Sequence, residues 1–359
     1  MATERHRVLI VDDSKAMCQF LEKVLSVDDS LLVVGAAQDP YEARDMIKTL
    51  RPDVLTLDIE MPRMDGITFL RNLMRLRPMP VVMLSSLTAA GAAVTLEAME
   101  IGAVDFMVKR HPGGAQEFQR YADEIITVVK NAARANVANR TQRQTNLKNY
   151  PEFKQWQQKV KRCRRVNARL SKVIAIGAST GGPEALQAVL TQLEKHDCAV
   201  IVCQHMPDYF MSAFANRLNT MSQYTFAEAT DNQVIEAGRG YVAPGGSHLQ
   251  FKRLGDSLIA SLDGGPKCNG HRPAVDLMFG SLAKTIGNAA VAIQLTGMGT
   301  DGAQGMLSLH ERGCLTIAQD KRSSAVWGMP GGAVRLGAVD AQLPLQDIGM
   351  LASKLIGER

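Results

Sequence analysis

The chain has 359 residues, of which 46% are apolar and 21% charged, with a formal net charge of +5. That length favours about two domains, and that composition is ordinary for a globular protein rather than a disordered one. No apolar run reaches the roughly 18 residues of a membrane span, the first residues lack a signal-peptide core, and the six cysteines form no Cys-x-x-Cys pair. Reduced thiols in the cytoplasm and no membrane insertion are the expectation.

The charge is unevenly spread. Residues 131–171 carry eleven Lys/Arg against one acid, Glu152, so this segment is +10 and the remainder of the chain −5. A basic balance that comes from one segment is poor grounds for nucleic-acid binding by the whole protein, and none is expected.

Taken in order, the chain opens with Val8-Leu-Ile-Val11 and then Asp12-Asp13. A helical pattern follows, with Met17, Phe20, Leu21, Val24 and Leu25 on one face. The alternation repeats through apolar runs at 32–35, 53–57, 80–84 and 105–108. Five short strands alternating with helices predict a parallel, doubly wound α/β sheet. Ligands of such sheets sit at the carboxyl ends of strands, where this sequence places Asp12, Asp13, Asp58, Ser85 and Lys109. Three carboxylates at one edge repel unless a cation sits among them, and all-oxygen ligation suits Mg²⁺. With Lys109 screening an incoming phosphoryl group, one carboxylate can act as nucleophile and form an acyl phosphate.

Val11-Asp-Asp-Ser14, the run Asp58-Ile-Glu-Met-Pro-Arg-Met-Asp-Gly66 and Lys109 together resemble the receiver domain of bacterial response regulators, over residues 7 to about 128. The resemblance implies a flavodoxin-like fold with Asp58 as phosphoacceptor. It also implies that Asp12 or Asp13 and the Glu60 carbonyl help hold Mg²⁺, with Ser85 and Phe106 as the switch pair. Arg110 stands after Lys109, where receivers usually have proline.

Residues 131–170 show little apolar periodicity and read as a solvated, extended, basic linker with helical pieces between a receiver at 1–130 and a second domain at 171–359. Phe153 and Trp156 within it keep open a reading in which the protein acts by binding.

Beyond the linker, Val173-Ile-Ala-Ile176, the turn Gly177-Ala-Ser-Thr-Gly-Gly182 and Pro183 read as strand, tight glycine turn and helix. Such a turn suits an exposed serine nucleophile beside N–H donors, but also a phosphate loop or a purely structural turn. Cys198–Cys203 is the next predicted strand, ending at Gln204-His205, and Ala289–Leu295 another, leading to Asp301. Ser179, His205 and Asp301 therefore follow strand ends that face one edge of a parallel sheet, where they can serve as nucleophile, base and orienting acid. His248 and His271 are rival bases, and Asp276 and Asp320 rival acids. The order Ser…His…Asp differs from the Ser…Asp…His of α/β-hydrolases and disfavours that fold.

The blocks Gly177–Gly182, Gln204–Met206, Ala243–His248, His271–Asp276 and Thr296–Ala303, followed by Ala318–Asp320 and Gly328–Pro330, resemble the CheB methylesterase family. That resemblance implies a Rossmann-like parallel-sheet catalytic domain that hydrolyses glutamyl methyl esters on methyl-accepting chemoreceptors, releases methanol and deamidates glutamines. It implies Ser179 as nucleophile, His205 as base and Asp301 as acid, with Thr180 orienting His205 and the Met298 N–H donating to the oxyanion. A chemotaxis histidine kinase is the implied phosphodonor, and the ester chemistry calls for no cofactor. One chain with both sites leads to the expectation that the unphosphorylated receiver restrains the esterase.

Overall fold

Short runs rich in Val, Ile, Leu and Ala alternate with amphipathic stretches, and the outcome is two all-parallel sheets, each covered on both faces. The computed structural model describes residues 5–86, 88–110, 112–137, 150–166, 172–286 and 289–357; the linker stretches 138–149 and 167–171 lie outside them. The chain divides into two compact units, Met1–Ala138 and Asn139–Arg359.

The first unit contains β1 (His6–Val11), α1 (Lys15–Leu25), β2 (Leu31–Ala37), α2 (Pro40–Leu50), β3 (Val54–Asp58) and α3 (Gly66–Leu76). It continues with β4 (Val81–Ser85), α4 (Ala89–Ile101), β5 (Asp105–Val108) and α5 (Ala115–Ala133). Strand order is β2-β1-β3-β4-β5, the flavodoxin-like arrangement. Alternate residues of β1 serve opposite faces. Val8 and Ile10 pack with Leu21, Val24, Ile125 and Val129, whereas Leu9 and Val11 pack with Ala43, Ile47, Phe69 and Leu70. Every one of these side chains is buried, the Val, Ile, Leu and Phe side chains each contributing roughly 1.5–3 kcal/mol and Ala43 less. Helix starts are capped by the local sequence: Asp39 accepts the Tyr41 and Glu42 N–H groups at 2.8 and 3.0 Å, and Asp65 accepts that of Thr68 at 2.8 Å.

The second unit opens with α6 (Phe153–Val166), which occupies much of the stretch read as a solvated linker. Its first turns are anchored: Phe153 and Trp156 are buried, Lys159 Nζ lies 2.7 Å from Asp340, and the nearby Tyr150 hydroxyl donates to Asp347 Oδ2 at 2.7 Å. Then follow β6 (Lys172–Ala178), α7 (Gly182–Leu190), β7 (Cys198–Gln204), α8 (Asp208–Met221), β8 (Thr225–Glu228) and β9 (Arg239–Val242). An antiparallel hairpin of β10 (His248–Leu254) and β11 (Ser257–Asp263) stands apart from the main sheet. The chain ends with α9 (Val275–Thr285), β12 (Ala290–Gln294), α10 (Ala303–Glu311), β13 (Leu315–Gln319), α11 (Met329–Arg335), β14 (Ala341–Leu343) and α12 (Leu345–Gly357).

Strand order in the main sheet is β14-β13-β12-β6-β7-β9-β8. The chain enters at β6, builds outward through β7, and returns to the other side of β6 at β12. A crevice opens outside the carboxyl ends of strands where the order reverses in this way. The segments following β6, β7 and β12 converge there.

Candidate active sites

In the first unit, Asp12 lies just past β1 and Asp58 closes β3, both buried, while Asp13 beside them is exposed. Carboxylate oxygens of the three come within 4.8 Å of one another. The Lys109 ammonium lies 2.7 Å from Asp58 Oδ2 and 2.9 Å from Asp12 Oδ2. Its contact with the buried Asp12 Oδ2 is an ion pair. Burial pushes the Asp58 carboxyl up to about 6, the neighbouring Asp12 charge adds to the rise, and the bonds from Lys109 and the Glu60 N–H oppose it. Those same two carboxylates raise Lys109 above the ordinary lysine value against the effect of its own burial. Three carboxylates whose oxygens approach one another this closely fit a hard divalent cation such as Mg²⁺.

Ser85 and Phe106, the predicted switch pair, lie on neighbouring strands. The Ser85 hydroxyl is buried and faces α4, 2.6 Å from Thr95 Oγ1 and 3.3 Å from the Gly91 carbonyl. It thus has partners other than the acid cluster. Phe106 is partly buried against the apolar cluster that includes Ile59 and Met83.

In the second unit the glycine turn after β6 places Ser179 at the sheet edge. Gly181 adopts φ +72°, a conformation side chains disfavour, and a Cβ there would also meet Ala325 at 2.7 Å. The Ser179 N–H donates to the Thr296 carbonyl at 3.0 Å, and its own carbonyl accepts the Gly182 N–H at 2.7 Å and Gln204 Nε2 at 2.9 Å. Gln204 Nε2 also donates to the His205 carbonyl at 3.1 Å, so one buried amide ties the serine backbone to that of the histidine. Gly182 makes room for it, since a Cβ there would come within 2.0 Å of Gln204 Oε1.

His205 Nε2 lies 2.8 Å from Asp301 Oδ2. That bond fixes the tautomer: Nε2–H donates to the carboxylate, and Nδ1 is left as acceptor, buried and without a partner. Asp301 is 1% exposed and accepts four hydrogen bonds, from His205, the Val275 N–H (2.7 Å), Asn269 Nδ2 (2.9 Å) and the Asp276 N–H (3.2 Å). Burial works against its charge, yet the His205, Asn269 and Val275 bonds outweigh it and hold the carboxyl below its ordinary range. Ser179 Oγ and His205 are not hydrogen-bonded in this conformation. Such bonds tighten when substrate arrives, so their looseness here does not remove either residue from the site.

Thr180 is buried beside the serine, and its carbonyl accepts the Thr296 hydroxyl at 3.0 Å. Met298 stands on the rim, 39% exposed, and its N–H has no acceptor among the described residues. The preceding residue must be glycine: a Cβ on Gly297 would lie 2.7 Å from Ser179 Cβ and 2.2 Å from Met329 Sδ.

The rivals sort out by position. His248 Nε2 lies 2.9 Å from the Pro266 carbonyl, which gives that ring a structural partner. Asp320 accepts the Ser323 N–H and hydroxyl in its own turn. Asp276 accepts the Gly305 N–H at 2.8 Å and Asn269 Nδ2 at 2.6 Å; burial and nearby Asp301 raise its carboxyl. His271 stacks face to face on His205, with ring centroids 3.7 Å apart and planes 7° apart. Sequence reasoning assigned no role to Asn269, Gln204, Gln294 or Gln319. These glutamines end β7, β12 and β13; Gln204 and Gln319 bind loop backbones at the site edge, and Gln294 binds the Gly177 carbonyl near the end of β6.

Residues 174–351 match the family described as CheB methylesterase, and residues 8–116 match the response regulator receiver domain. The protein-glutamate methylesterase/protein-glutamine glutaminase 1 of Hahella chejuensis is 48% identical over 355 residues, spanning 98% of this chain and 97% of that protein. The corresponding protein of Hydrogenovibrio crunogenus is 44% identical over 365 residues, 95% of this chain and 96% of its own. The crystal structure of the Thermotoga maritima CheB methylesterase catalytic domain is 36% identical, covers 52% of this chain and 97% of that chain, and superposes with a TM-score of 0.50.

Proposed function

The chain belongs to the CheB methylesterase family, and from that premise we propose that it hydrolyses glutamyl methyl esters on chemoreceptors and deamidates glutamines there, under control of phosphorylation at Asp58. The observation that carries the catalytic assignment is His205: one ring nitrogen is fixed on a buried carboxylate and the other stands buried and unpartnered at the edge that holds Ser179.

In this reading Ser179 Oγ attacks the side-chain carbonyl and its proton passes to His205 Nδ1. The resulting imidazolium is stabilised by Asp301, whose depressed pKa keeps it anionic at neutral pH. The tetrahedral oxyanion is met by the Met298 N–H, a donor with no competing acceptor among the described residues. Its collapse breaks the acyl–oxygen or acyl–nitrogen bond, and His205 returns the proton to the departing methanol or ammonia. Water, deprotonated by the same nitrogen, then releases glutamate and regenerates Ser179. No step needs a metal or cofactor.

Asp12, Asp13, Asp58 and the Glu60 carbonyl would hold Mg²⁺ in the receiver, where it would neutralise charge during phosphoryl transfer from a histidine-kinase donor. Lys109, already paired with Asp58, would hold a phosphoryl oxygen. The Ser85 hydroxyl would have to leave Gly91 and Thr95 to reach the new group, which supplies the local rearrangement a switch requires.

The test is methanol release from methylated receptor membranes, with and without Mg²⁺ and acetyl phosphate. Stimulation by the phosphodonor is expected in the wild type and is lost in Asp58→Asn. Ser179→Ala should reduce release by at least about 10³-fold. Undiminished release from Ser179→Ala would remove the serine from the mechanism.

A further inference from the structure

We infer that His271 is a positioning residue for the hydrolysis: its ring, stacked on His205, fixes the tilt of the base and backs it with a flat π face when it takes the serine proton. This rests on the reading above, in which His205 is the base.

The geometry asks for such a residue. A single bond from His205 Nε2 to Asp301 fixes one edge of the imidazole and by itself leaves a freedom of tilt about that contact. A second ring 3.7 Å away and within 7° of parallel removes that freedom. The His271 ring nitrogens hydrogen-bond to no described residue, so it is not a further relay member. What it presents to the base is its face.

The loop that carries His271 is built to deliver it. Cys268 and His271 exchange both backbone bonds, at 3.0 and 2.9 Å, around a turn in which Asn269 (φ 52°) and Gly270 (φ 83°) adopt left-handed conformations. The Asn269 side chain bonds Asp301 and Asp276, and Arg272 Nη1 donates to the Gly264 and Gly265 carbonyls at 2.8 and 2.7 Å. One loop therefore brings a donor to the acid and a ring to the base.

Charge completes the argument. His205, Asp301 and Lys267 are the charged or titratable groups that act on His271. Burial first, then His205 and Lys267, push its imidazole down to about 4, with Asp301 opposing. His271 is thus neutral at pH 7. The cation that forms on His205 during attack meets the electron-rich face of a neutral ring rather than a second positive charge.

The test uses the full-length protein, methanol release, and the variants His271→Ala, His271→Gln and His271→Phe. Ala and Gln, which remove the flat ring, should lower kcat about 10–100-fold with KM changed less than about threefold. Phe, flat and uncharged, should return kcat to within about threefold of the wild type. Independently of any variant, ¹⁵N NMR of the histidine-labelled wild type should show the His271 ring uncharged from pH 5.5 to 8. An unchanged kcat in Ala and Gln, a loss confined to KM, a Phe variant as slow as Ala, or a cationic His271 at pH 7 would each overturn the inference. Absence of wild-type activity, or activity surviving Ser179→Ala, would instead overturn the hydrolase reading, so the two failures are distinguishable.

Discussion

Asp301 shows how one residue's chemistry is set by its neighbours. A carboxylate this buried would ordinarily hold its proton, and four donors keep it charged instead. Asn269 is the only side chain among the four besides His205, which makes it the place to perturb the acid without touching the base. Asn269→Ala should lower kcat about 5–100-fold, the range expected from losing one hydrogen bond to a buried charge. Asn269→Asp should be worse, because it sets a third carboxylate against Asp301 and Asp276. Equal kcat for Ala and Asp in methanol release would mean that charge at this position is unimportant. At this scale the sequence was partly legible. The placing of Ser179, His205 and Asp301 at one sheet edge could be read because each follows an apolar run in a parallel sheet. Asn269 could not, because it reaches Asp301 from a left-handed turn that no periodicity announces.

Elements impose a second layer of constraint. The loops at the catalytic edge are held by glutamines ending β7 and β13, by bonds between the loops such as Thr296 Oγ1 to the Thr180 carbonyl, and by glycines that let backbones approach. Gly297→Ala is therefore predicted to act through Ser179. The added methyl must displace the serine Cβ or Met329, and kcat should fall about 10²-fold or more while the protein still melts cooperatively. A wild-type kcat in that variant would show that the edge can yield. Helix α6 makes the converse point. Its composition reads as a solvated linker because Phe153 and Trp156 are too few to form a visible stripe, yet they suffice as anchors when Lys159 and Tyr150 add polar contacts to Asp340 and Asp347. Trp156→Ala should cost about 3–5 kcal/mol, the usual range for emptying a buried aromatic site. It should be measured as a lowered melting temperature of the catalytic unit with kcat largely kept. The strands β8 and β9 and the β10–β11 hairpin escaped sequence reading for a related reason: they are short or lie outside the main sheet, and their polar residues interrupt the alternation.

At the scale of the whole molecule, the two-unit organisation was legible because two complete sets of strand-end chemistry occur in one chain; the opposed response of the units to acid was not. In the receiver unit Asp58 is raised from its ordinary 3.8 to about 6. Between those values the folded unit binds a proton that the unfolded chain does not, so its stability rises as pH falls from about 6 to about 4. In the catalytic unit His271 is lowered from 6.5 to about 4. There the unfolded chain binds the extra proton, so stability falls as pH drops through the range from 6.5 to 4. Each shift corresponds to up to about 3 kcal/mol at its full extent, which is several degrees of melting temperature for units of this size. Calorimetry of the full chain should therefore resolve two transitions that move in opposite directions on acidification, after the common effect of the other carboxylates is subtracted by comparison with variants. Asp58→Asn should raise the receiver transition at pH 7 and flatten its pH slope; His271→Phe should flatten the slope of the catalytic transition alone. Mg²⁺ should raise the receiver transition of the wild type at pH 7, by mass action on the charged acid cluster, and do little for Asp58→Asn. Parallel slopes for the two transitions in the wild type, unchanged by either substitution, would show that neither buried group governs the acid response of its unit.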